Sequence, residues 1–387
     1  MSSADKLHPM TKAAARRIWL AAQRLDTQDP FGEGPQAVAR AVEHLGYVQI
    51  DTINVIERCH HHILWNRIPE YRRADLRQAQ SIEKSVFEYW THALSYVPAK
   101  DLRFFIPAMN RHRREGHKWL SSVKPADLRK VLKLIRRDGP LTIRDIEDDV
   151  LVDKEHLWAS RKPSKRALQL AFYTGVLTIS ERNGMLKTYE LMSRHFGWDK
   201  PPKGASPREV TAYLLARALR AQGVVSIDSI CHLDAPSKSA VRRLVEAAVR
   251  RGELVPIALE GAGKQEHWAQ PAMTEIASTE AHEMVHILSP FDPLIIQRKR
   301  THLFFDYEHR FEAYVPKHKR QFGYFALPVL VGDAIVAALD LKTDRKQRKL
   351  LVQSWSWVGG GARGARKESR RRIEEELHRF ERFQLAE

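Results

Sequence analysis

Two segments of the chain repeat one order of predicted elements, and this repeat constrains the fold more than any other feature. The first has a helical apolar pattern at residues 125–137, a helix at 165–174 and a hairpin turn at Asn183-Gly184. The second has helices at 207–222 and 238–251, followed by two short strands. A helix, a short strand, two more helices and a two-stranded wing are typical of a winged helix. The repeat therefore predicts tandem winged-helix domains.

The last helix of each repeat is basic and carries predicted DNA contacts. Arg166 lies in the first such helix and Arg243 in the second, and helix-turn-helix relatives place this helix in the major groove. Lysine and arginine number 64 against 47 acidic residues, which gives a formal net charge of +17. Such a surplus favours a polyanionic partner, nucleic acid above all. A winged helix can also be a protein-interaction scaffold, and the sequence leaves that alternative open.

Downstream of residue 277 the pattern changes to short runs rich in β-branched and aromatic residues. Runs at 285–288, 303–307, 311–315 and 325–330 predict strands of a small C-terminal β-barrel. After a break of three glycines, residues 365–383 are predicted to form a terminal helix. The predicted fold class is therefore α+β, with tandem winged-helix domains, a small C-terminal β-barrel and a terminal helix.

The predicted domains follow these changes along the 387 residues, because a chain of this length exceeds one ordinary hydrophobic core. A helical catalytic module of winged-helix type comes first. The second and third winged helices, the barrel-like module and the terminal helix follow. The boundaries of the five segments are 1–120, 121–200, 201–276, 277–358 and 359–387.

Cysteine usage and hydropathy indicate a cytoplasmic protein. Cys59 and Cys231 are far apart in the sequence and form no disulfide framework. The N-terminal residues lack the apolar stretch of a signal peptide, and no run of about 18 apolar residues predicts a membrane span. We expect a monomer in the cytoplasm, at the nucleoid, with no membrane partner.

Gln49 and Asp51 form the candidate catalytic pair. They lie two residues apart in residues 47–51, which are predicted to form a short strand. Their side chains would share one open face, while Val48 and Ile50 point to the core. The same spacing fits an ordinary strand with one solvated face, so spacing alone does not define a site.

The stretch LGYVQIDTINVIERCHHHILWNRIPEY, residues 45–71, closely resembles the AlkZ/YcaQ-type winged-helix DNA glycosylases. That family carries a Gln-apolar-Gln or Gln-apolar-Asp motif, then a His pair and a Leu-Trp-x-Arg segment. The matching residues here are Gln49-Ile50-Asp51, His60-His61 and Leu64-Trp65-Asn66-Arg67. Residues 87–98 and the block that begins at Ser289 also look like the family, and the Asp form of the motif is similar to the YcaQ branch.

The resemblance implies excision of alkylated bases such as N7-alkylguanine, and in some members the unhooking of interstrand crosslinks. An N7-alkylated purine is already cationic, so its glycosidic bond breaks without an acid to protonate the leaving base. One carboxylate can stabilise the oxocarbenium-like sugar and accept the proton of the attacking water. We therefore assign Asp51 as base and electrostatic stabiliser and Gln49 as the residue that orients the water. No lysine nucleophile is needed, so a monofunctional enzyme is predicted.

Further residues are candidates for contact with double-stranded DNA that carries alkylation damage. His60 and His61 match the family's pair, although a purely structural pair fits the pattern equally well. Arg67 completes the Leu-Trp-x-Arg segment, and Arg298 and Arg300 lie in the family-like block near the C-terminus.

No metal and no cofactor is expected. The run Cys-His-His-His at residues 59–62 contains residue types that bind zinc. No second cluster of such residues stands at metal-ligand spacing, and the proposed hydrolysis needs only a carboxylate and water.

A non-catalytic winged-helix transcription regulator is the alternative function, and Gln49 and Asp51 would then be incidental. Regulators of that type generally dimerise to match a two-fold operator. The sequence shows no dimerisation heptad. Release of a base from methylated DNA would distinguish the enzyme from the regulator.

Overall fold

A computed structural model describes residues 7–148, 150–154, 159–275, 283–359 and 363–386. Fourteen α-helices are found in these ranges: α1 (Lys12–Ala22), α2 (Gly34–Leu45), α3 (Cys59–Trp65), α4 (Arg73–Ser81), α5 (Ile106–Glu115), α6 (Pro125–Asp138), α7 (Pro163–Tyr173), α8 (Met192–Phe196), α9 (Pro207–Gln222), α10 (Ile227–Ile230), α11 (Lys238–Arg250), α12 (Pro271–Glu275), α13 (Arg298–Phe305) and α14 (Arg363–Leu385). The same ranges contain fourteen strands: β1 (His8–Met10), β2 (Val48–Gln49), β3 (Val86–Trp90), β4 (Leu94–Pro98), β5 (Leu141–Thr142), β6 (Leu177–Asn183), β7 (Leu186–Leu191), β8 (Val224–Val225), β9 (Val255–Leu259), β10 (His267–Ala269), β11 (Val285–Ile287), β12 (Ala326–Val331), β13 (Ala334–Asp344) and β14 (Lys349–Trp357). The mixed α+β class predicted from the sequence is confirmed.

The chain divides into two compact units. One is discontinuous and comprises Met1–Tyr71 and Thr211–Glu387, and the other is Arg72–Val210. This division is coarser than the five predicted segments, and the boundary after Tyr71 falls inside the first of them. Within the described residues, no helix combines the length and the hydropathy that crossing a bilayer would need.

The two ends of the discontinuous unit share one hydrophobic core. Thr11 precedes helix α1 and caps it, because its hydroxyl accepts the Ala14 N–H at 3.2 Å. The helix buries Trp19 against Phe304, with the rings edge-on at 5.2 Å between centroids. Strand β1 pairs in parallel with β9. The N-terminal helix is therefore held by elements more than 200 residues away in sequence.

Elements α9, β8, α10, α11, β9 and β10 follow in the order predicted for the second repeat. Ser226 starts α10 by accepting the Ser229 N–H at 3.2 Å. Helix α11 buries Val241, Val245 and Ala248 at helical spacing. Strand β10 pairs antiparallel with both β8 and β9. The exposed side of α11 keeps its arginines on the surface.

The continuous unit contains α6, β5, α7, β6 and β7, the order predicted for the first repeat, except that a single 3₁₀ turn at Ile143–Asp145 stands where a second helix was predicted. Strand β7 lies between β5 and β6 in an antiparallel sheet, and β3 and β4 form a hairpin. The buried carboxylate of Glu88 on β3 pairs with Arg182 on β6, with an Oε2–Nη2 distance of 2.7 Å. This ion pair fixes the hairpin against the sheet.

The C-terminal segment differs from the predicted barrel. Strands β11 to β14 form an antiparallel sheet in sequential order, and no closing pair between β14 and β11 is found in the described residues. Helix α14 packs against both of these edge strands and buries Ile373 and Phe380. The edges are thus covered by a helix rather than joined to each other.

Two predicted strands of this segment were wrong. Residues 303–307 lie mostly in helix α13, and residues 311–315 form no strand. A short apolar run is compatible with a buried strand and with a buried helix, so its pattern cannot separate the two. Here Thr301, Phe304 and Phe305 face the core at helical spacing.

Candidate active site and DNA-binding residues

The Gln49-Ile50-Asp51 motif lies at the end of a strand. Strand β2 ends at Gln49, whereas the sequence predicted a strand through Asp51. The carboxylate of Asp51 accepts the backbone N–H of Ile53 at 2.8 Å. This local bond bends the chain away from the strand direction, as aspartate commonly does in turns. Gln49 is only 5% exposed, so it is not on an open face as predicted, while Asp51 is half-buried.

The loop after Asp51 is fixed by the C-terminal part of the chain. Thr343 on β13 donates its backbone N–H to the carbonyl of Val55 at 2.9 Å. Arg345 donates to the side-chain oxygen of Asn54 at 2.9 Å and to its carbonyl at 3.1 Å. The side-chain oxygen of Gln384 on α14 accepts the backbone N–H of Glu57 at 2.6 Å. These contacts restrain the segment that carries the catalytic candidate.

Cys59 connects helix α3 to the motif strand. Its thiol donates to the backbone carbonyl of Gln49, with 3.1 Å between Sγ and O. Burial raises the pKa of the Cys59 thiol well above its ordinary value, and the negative charge of Asp51 raises it further. Cys59 is therefore a protonated thiol at neutral pH and serves here as a hydrogen-bond donor rather than a nucleophile.

The three histidines of α3 have different surroundings. The rings of His60 and His61 lie 4.3 Å apart, with His60 buried and His61 half-buried. The Nδ1 atom of His61 is 2.6 Å from the hydroxyl of Tyr71. His62 is fully buried and donates from Nε2 to the carbonyl of Ile287 at 2.7 Å. His62 thus ties the helix to β11, a role that the sequence did not single out.

Arg67 is placed in the interior, which corrects its prediction as a DNA contact. Its guanidinium makes two bonds to Asp292, at 2.8 and 3.0 Å, and both side chains are fully buried. It also donates to the backbone and side-chain oxygens of Gln23, at 2.9 Å each. A cation buried and paired in this way cannot reach a DNA phosphate, so Arg67 is a structural residue.

Arg300 and Arg166 are likewise held inside the protein. The guanidinium of Arg300 lies between Trp19 and Phe304, about 4 Å from each ring centroid, and donates to the Val224 carbonyl at 2.6 Å. Burial lowers the pKa of Arg300 to about 9, so it stays cationic at neutral pH. Arg166 is buried and donates to Ser160 and Ser122. Neither presents its charge to solvent, which argues against the predicted DNA contacts.

Arg243 and Arg298 lie on the surface, as a DNA contact requires. Arg243 is exposed on α11 and donates to the hydroxyl of Ser239 at 2.9 Å. Arg298 is exposed at the start of α13, with its guanidinium 5.9 Å from the ring centre of Phe311. Sequence position alone did not separate these two arginines from the buried ones, because Arg298 and Arg300 stand in the same short basic run.

A cavity of about 600 Å³ opens beside the loop that follows Asp51. Val55 lines one part of it, and Lys317, Arg320, Tyr324 and Lys342 line others. Three cations and the carboxylate of Asp340 therefore line a space that begins four residues after the catalytic candidate. In the described residues, no group of three or more histidine, cysteine, aspartate or glutamate side chains has the geometry of a metal site.

Known proteins share the fold of this chain. The chain is similar to the solved structure of Streptomyces sahachiroi DNA glycosylase AlkZ, with a TM-score of 0.60, 17% sequence identity and 97% of each chain covered. At this identity the likeness concerns the fold. The family model described as DNA glycosylase AlkZ-like matches residues 42–383. The chain therefore belongs to the AlkZ-like DNA glycosylase family, enzymes that bind DNA and act on its bases, and the resemblance noted in the sequence is confirmed.

Proposed function

We propose that this protein hydrolyses the N-glycosidic bond of alkylated purines, such as N7-alkylguanine, in double-stranded DNA. The observation that carries the proposal is the environment of the Asp51 carboxylate. Its carboxylate is half-buried at a strand end and accepts one backbone N–H, and it forms no ion pair with any described residue. A carboxylate that is held in one orientation and is not paired with a cation can act on a substrate.

Asp51 would serve the reaction in two ways. The alkylated base leaves as a neutral molecule, because it is already cationic when bound, and positive charge then develops on the deoxyribose. The carboxylate of Asp51 stabilises that charge and accepts the proton of the water that attacks C1′. Glycosidases that cleave an uncharged sugar–oxygen bond need a second carboxyl as acid, because the departing oxygen must be protonated. One carboxylate is sufficient here because the leaving base needs no proton.

Gln49 would orient the attacking water with its side-chain amide. Its backbone carbonyl is fixed by Cys59, and its side chain is almost completely buried, so the amide has little freedom. Because water rather than a lysine attacks the sugar, the enzyme would be monofunctional and would leave the strand intact. Interstrand crosslinks through N7-alkylguanine present the same cationic base, so we include their unhooking in the proposal.

The DNA-binding part of the proposal rests on the two repeats, which we interpret as winged helices. The second repeat has the predicted order of elements, the first has it with a 3₁₀ turn in place of its middle helix, and α11 exposes Arg243 on its outer side. Exposed Arg298 would add a phosphate contact outside the repeats. The formal charge of +17 favours binding to the duplex, with an affinity that falls steeply as salt rises, and the protein would bind as a monomer.

The test compares the wild-type protein with Asp51→Asn on a duplex that contains N7-methylguanine, under single-turnover conditions. We expect Asp51→Asn to lower base release by about 10²- to 10⁴-fold while duplex affinity stays unchanged. The matched control is Asp138→Asn, the same change at an exposed carboxylate of the other compact unit. Base release and strand nicking are scored separately.

Two outcomes would overturn the proposal. Excision by Asp51→Asn at the wild-type rate would remove the catalytic role of Asp51. Sequence-specific protection of DNA by the wild-type protein, without any base release, would support the transcription regulator instead.

A further inference from the structure

A loop at residues 312–323, called here the Glu312 loop, is closed by a single buried carboxylate. Glu312 accepts the backbone N–H groups of Gln321 and Phe322 at 2.7 Å each and that of Gly323 at 3.3 Å. Burial alone would raise the pKa of Glu312, but the three backbone donors outweigh it and the pKa is lowered. Glu312 is therefore ionised at neutral pH and joins both ends of the loop.

Further bonds make the loop rigid. Arg320 donates from Nε to the carbonyl of Val315 at 2.7 Å, across the loop. Asp340 on β13 accepts the backbone N–H groups of Tyr324 and Phe325, at 2.8 and 3.1 Å, directly after the loop. Gly323 has φ +131°, and a Cβ at this position would collide with the Asp340 carboxylate. The loop thus has one defined conformation without a hydrophobic core of its own.

Three side chains of this loop, Tyr314, Lys317 and Lys319, are exposed to solvent. Tyr314 is 77% exposed, and its ring lies edge-on to that of Phe311, with 6.0 Å between the two centroids. Lys317 and Lys319 are exposed, and neither forms an ion pair within the part of the chain that the structure describes. A large aromatic ring held in solvent beside unpaired cations is the combination that binds nucleic-acid strands through stacking and phosphate contacts.

The position of the loop connects it to the catalytic candidate. Lys317 and Arg320 line the 600 Å³ cavity together with Val55 and with Lys342 on β13. Val55 follows Asp51 by four residues, and its carbonyl is bonded to the backbone of β13. A DNA strand that runs from Asp51 past the following four residues to the cavity would therefore meet Lys317 and Arg320.

We propose that the Glu312 loop grips the DNA strand beside the damaged nucleotide: Lys317 and Lys319 bind its phosphates, and the Tyr314 ring stacks on a base. This inference rests on the proposed function for the location of the lesion. The ligand is a nucleic acid rather than an acidic protein, because a polyanionic protein surface would use the lysines but would leave the tyrosine ring without a stacking partner.

Binding to a short labelled duplex that contains a tetrahydrofuran abasic analogue tests the loop without any catalysis. We expect Tyr314→Ala to weaken binding roughly tenfold or more, with an unchanged dependence on salt. Tyr314→Phe is the matched control, because it keeps the ring, and it should bind like the wild-type protein. Both changes are on the surface, so thermal melting should show an intact fold.

The lysines are tested by the salt dependence of the same binding. Each lost phosphate contact reduces the slope of log K against log salt by about 0.9, so the double variant Lys317→Gln/Lys319→Gln should reduce it by about 1.8. Lys367→Gln, an exposed lysine on α14, is the control and should leave the slope unchanged. The proposal is overturned if the loop variants bind with the affinity and salt slope of the wild-type protein. It is also overturned if the controls Tyr314→Phe and Lys367→Gln lose as much as the variants that they match.

This experiment separates the two proposals. If the wild-type protein releases N7-methylguanine but the loop variants bind the abasic duplex normally, the loop proposal fails and the proposed function stands. If the loop variants lose affinity as expected but the wild-type protein releases no base, the loop is a DNA-binding element and the proposed function fails.

Discussion

The thiol of Cys59 and the backbone carbonyl of Gln49 are joined by a hydrogen bond of 3.1 Å that spans ten residues. This bond places the start of α3 directly against the motif strand. The backbone of Gln49 is hydrogen-bonded to Cys59, and the segment after Asp51 is hydrogen-bonded to β13 and α14. The motif is therefore restrained on both sides, and these two sets of contacts are called here the first and the second support. The geometry of the candidate catalytic pair therefore depends on residues outside the motif.

Replacement of Cys59 should test the first support. Cys59→Val loses the hydrogen bond and adds about one methyl group to a packed site, and we expect the free energy of unfolding to fall by about 1–3 kcal/mol. Base release should fall as well, because the backbone of Gln49 gains freedom. The measurements are urea unfolding and single-turnover excision. Cys231→Val, at the other buried cysteine, is the control; an equal loss of activity there would contradict the interpretation.

The buried pair Arg67–Asp292 gives a prediction about stability rather than DNA binding. Arg67→Met leaves the Asp292 carboxylate buried without its partner, which should cost about 3–5 kcal/mol in urea unfolding. Arg298→Met, at an exposed arginine, should change stability by less than about 0.5 kcal/mol but weaken DNA binding.

The double variant Arg67→Met/Asp292→Leu sharpens this test. Removing both charges leaves no uncompensated ion, so we expect it to be more stable than Arg67→Met alone. If Arg67→Met folds with wild-type stability and loses only DNA affinity, the structural assignment of Arg67 is wrong.

Acid should destabilise the protein through its buried histidines. Burial lowers the pKa of His62 from an ordinary 6.5 to about 4, so between these values the unfolded chain binds a proton that the folded protein does not. The free energy of unfolding therefore has its full value above pH 6.5 and decreases as the pH falls toward 4. His195, His267 and His309 have pKa values lowered to about 4 by the same cause.

Urea unfolding at several pH values between 7.5 and 4.5 measures this dependence. His62→Gln should be less stable than the wild-type protein at pH 7.5 but should show a weaker decline with acid. The exposed His318→Gln should follow the wild-type curve. An identical pH dependence in His62→Gln and the wild-type protein would show that His62 takes no part.

The sequence predicted local features well and long-range ones poorly. The order of elements from α9 to β10 was predictable because caps such as Ser226 and the spacing of Val241 and Val245 are local signals. The burial of Arg67 was not, because its partner Asp292 lies 225 residues away. Likewise, nothing near Arg300 in the sequence shows that Trp19 encloses its guanidinium. The motif itself was found through its resemblance to a family, while the residues that support it carry no sequence signal.

Replacement of Gln384 tests the second support most directly. Its side-chain oxygen accepts the N–H of Glu57 at 2.6 Å and the hydroxyl of Thr343 at 3.0 Å, so one residue of α14 joins the Asp51 loop to β13. Gln384→Leu removes that acceptor and should destabilise the fold by about 1–3 kcal/mol, since the N–H of Glu57 loses its partner.

Gln384→Leu should also affect catalysis, because it loosens the segment that follows Asp51. A small displacement of Asp51 from its proposed position beside the sugar should lower single-turnover base release by about 10- to 100-fold, while affinity for undamaged duplex stays unchanged. Gln347→Leu, an exposed glutamine in the turn before β14, is the matched control and should excise at the wild-type rate. Since a structural role alone would lower stability without changing the rate for the folded protein, a normal rate in folded Gln384→Leu would show that α14 does not position Asp51.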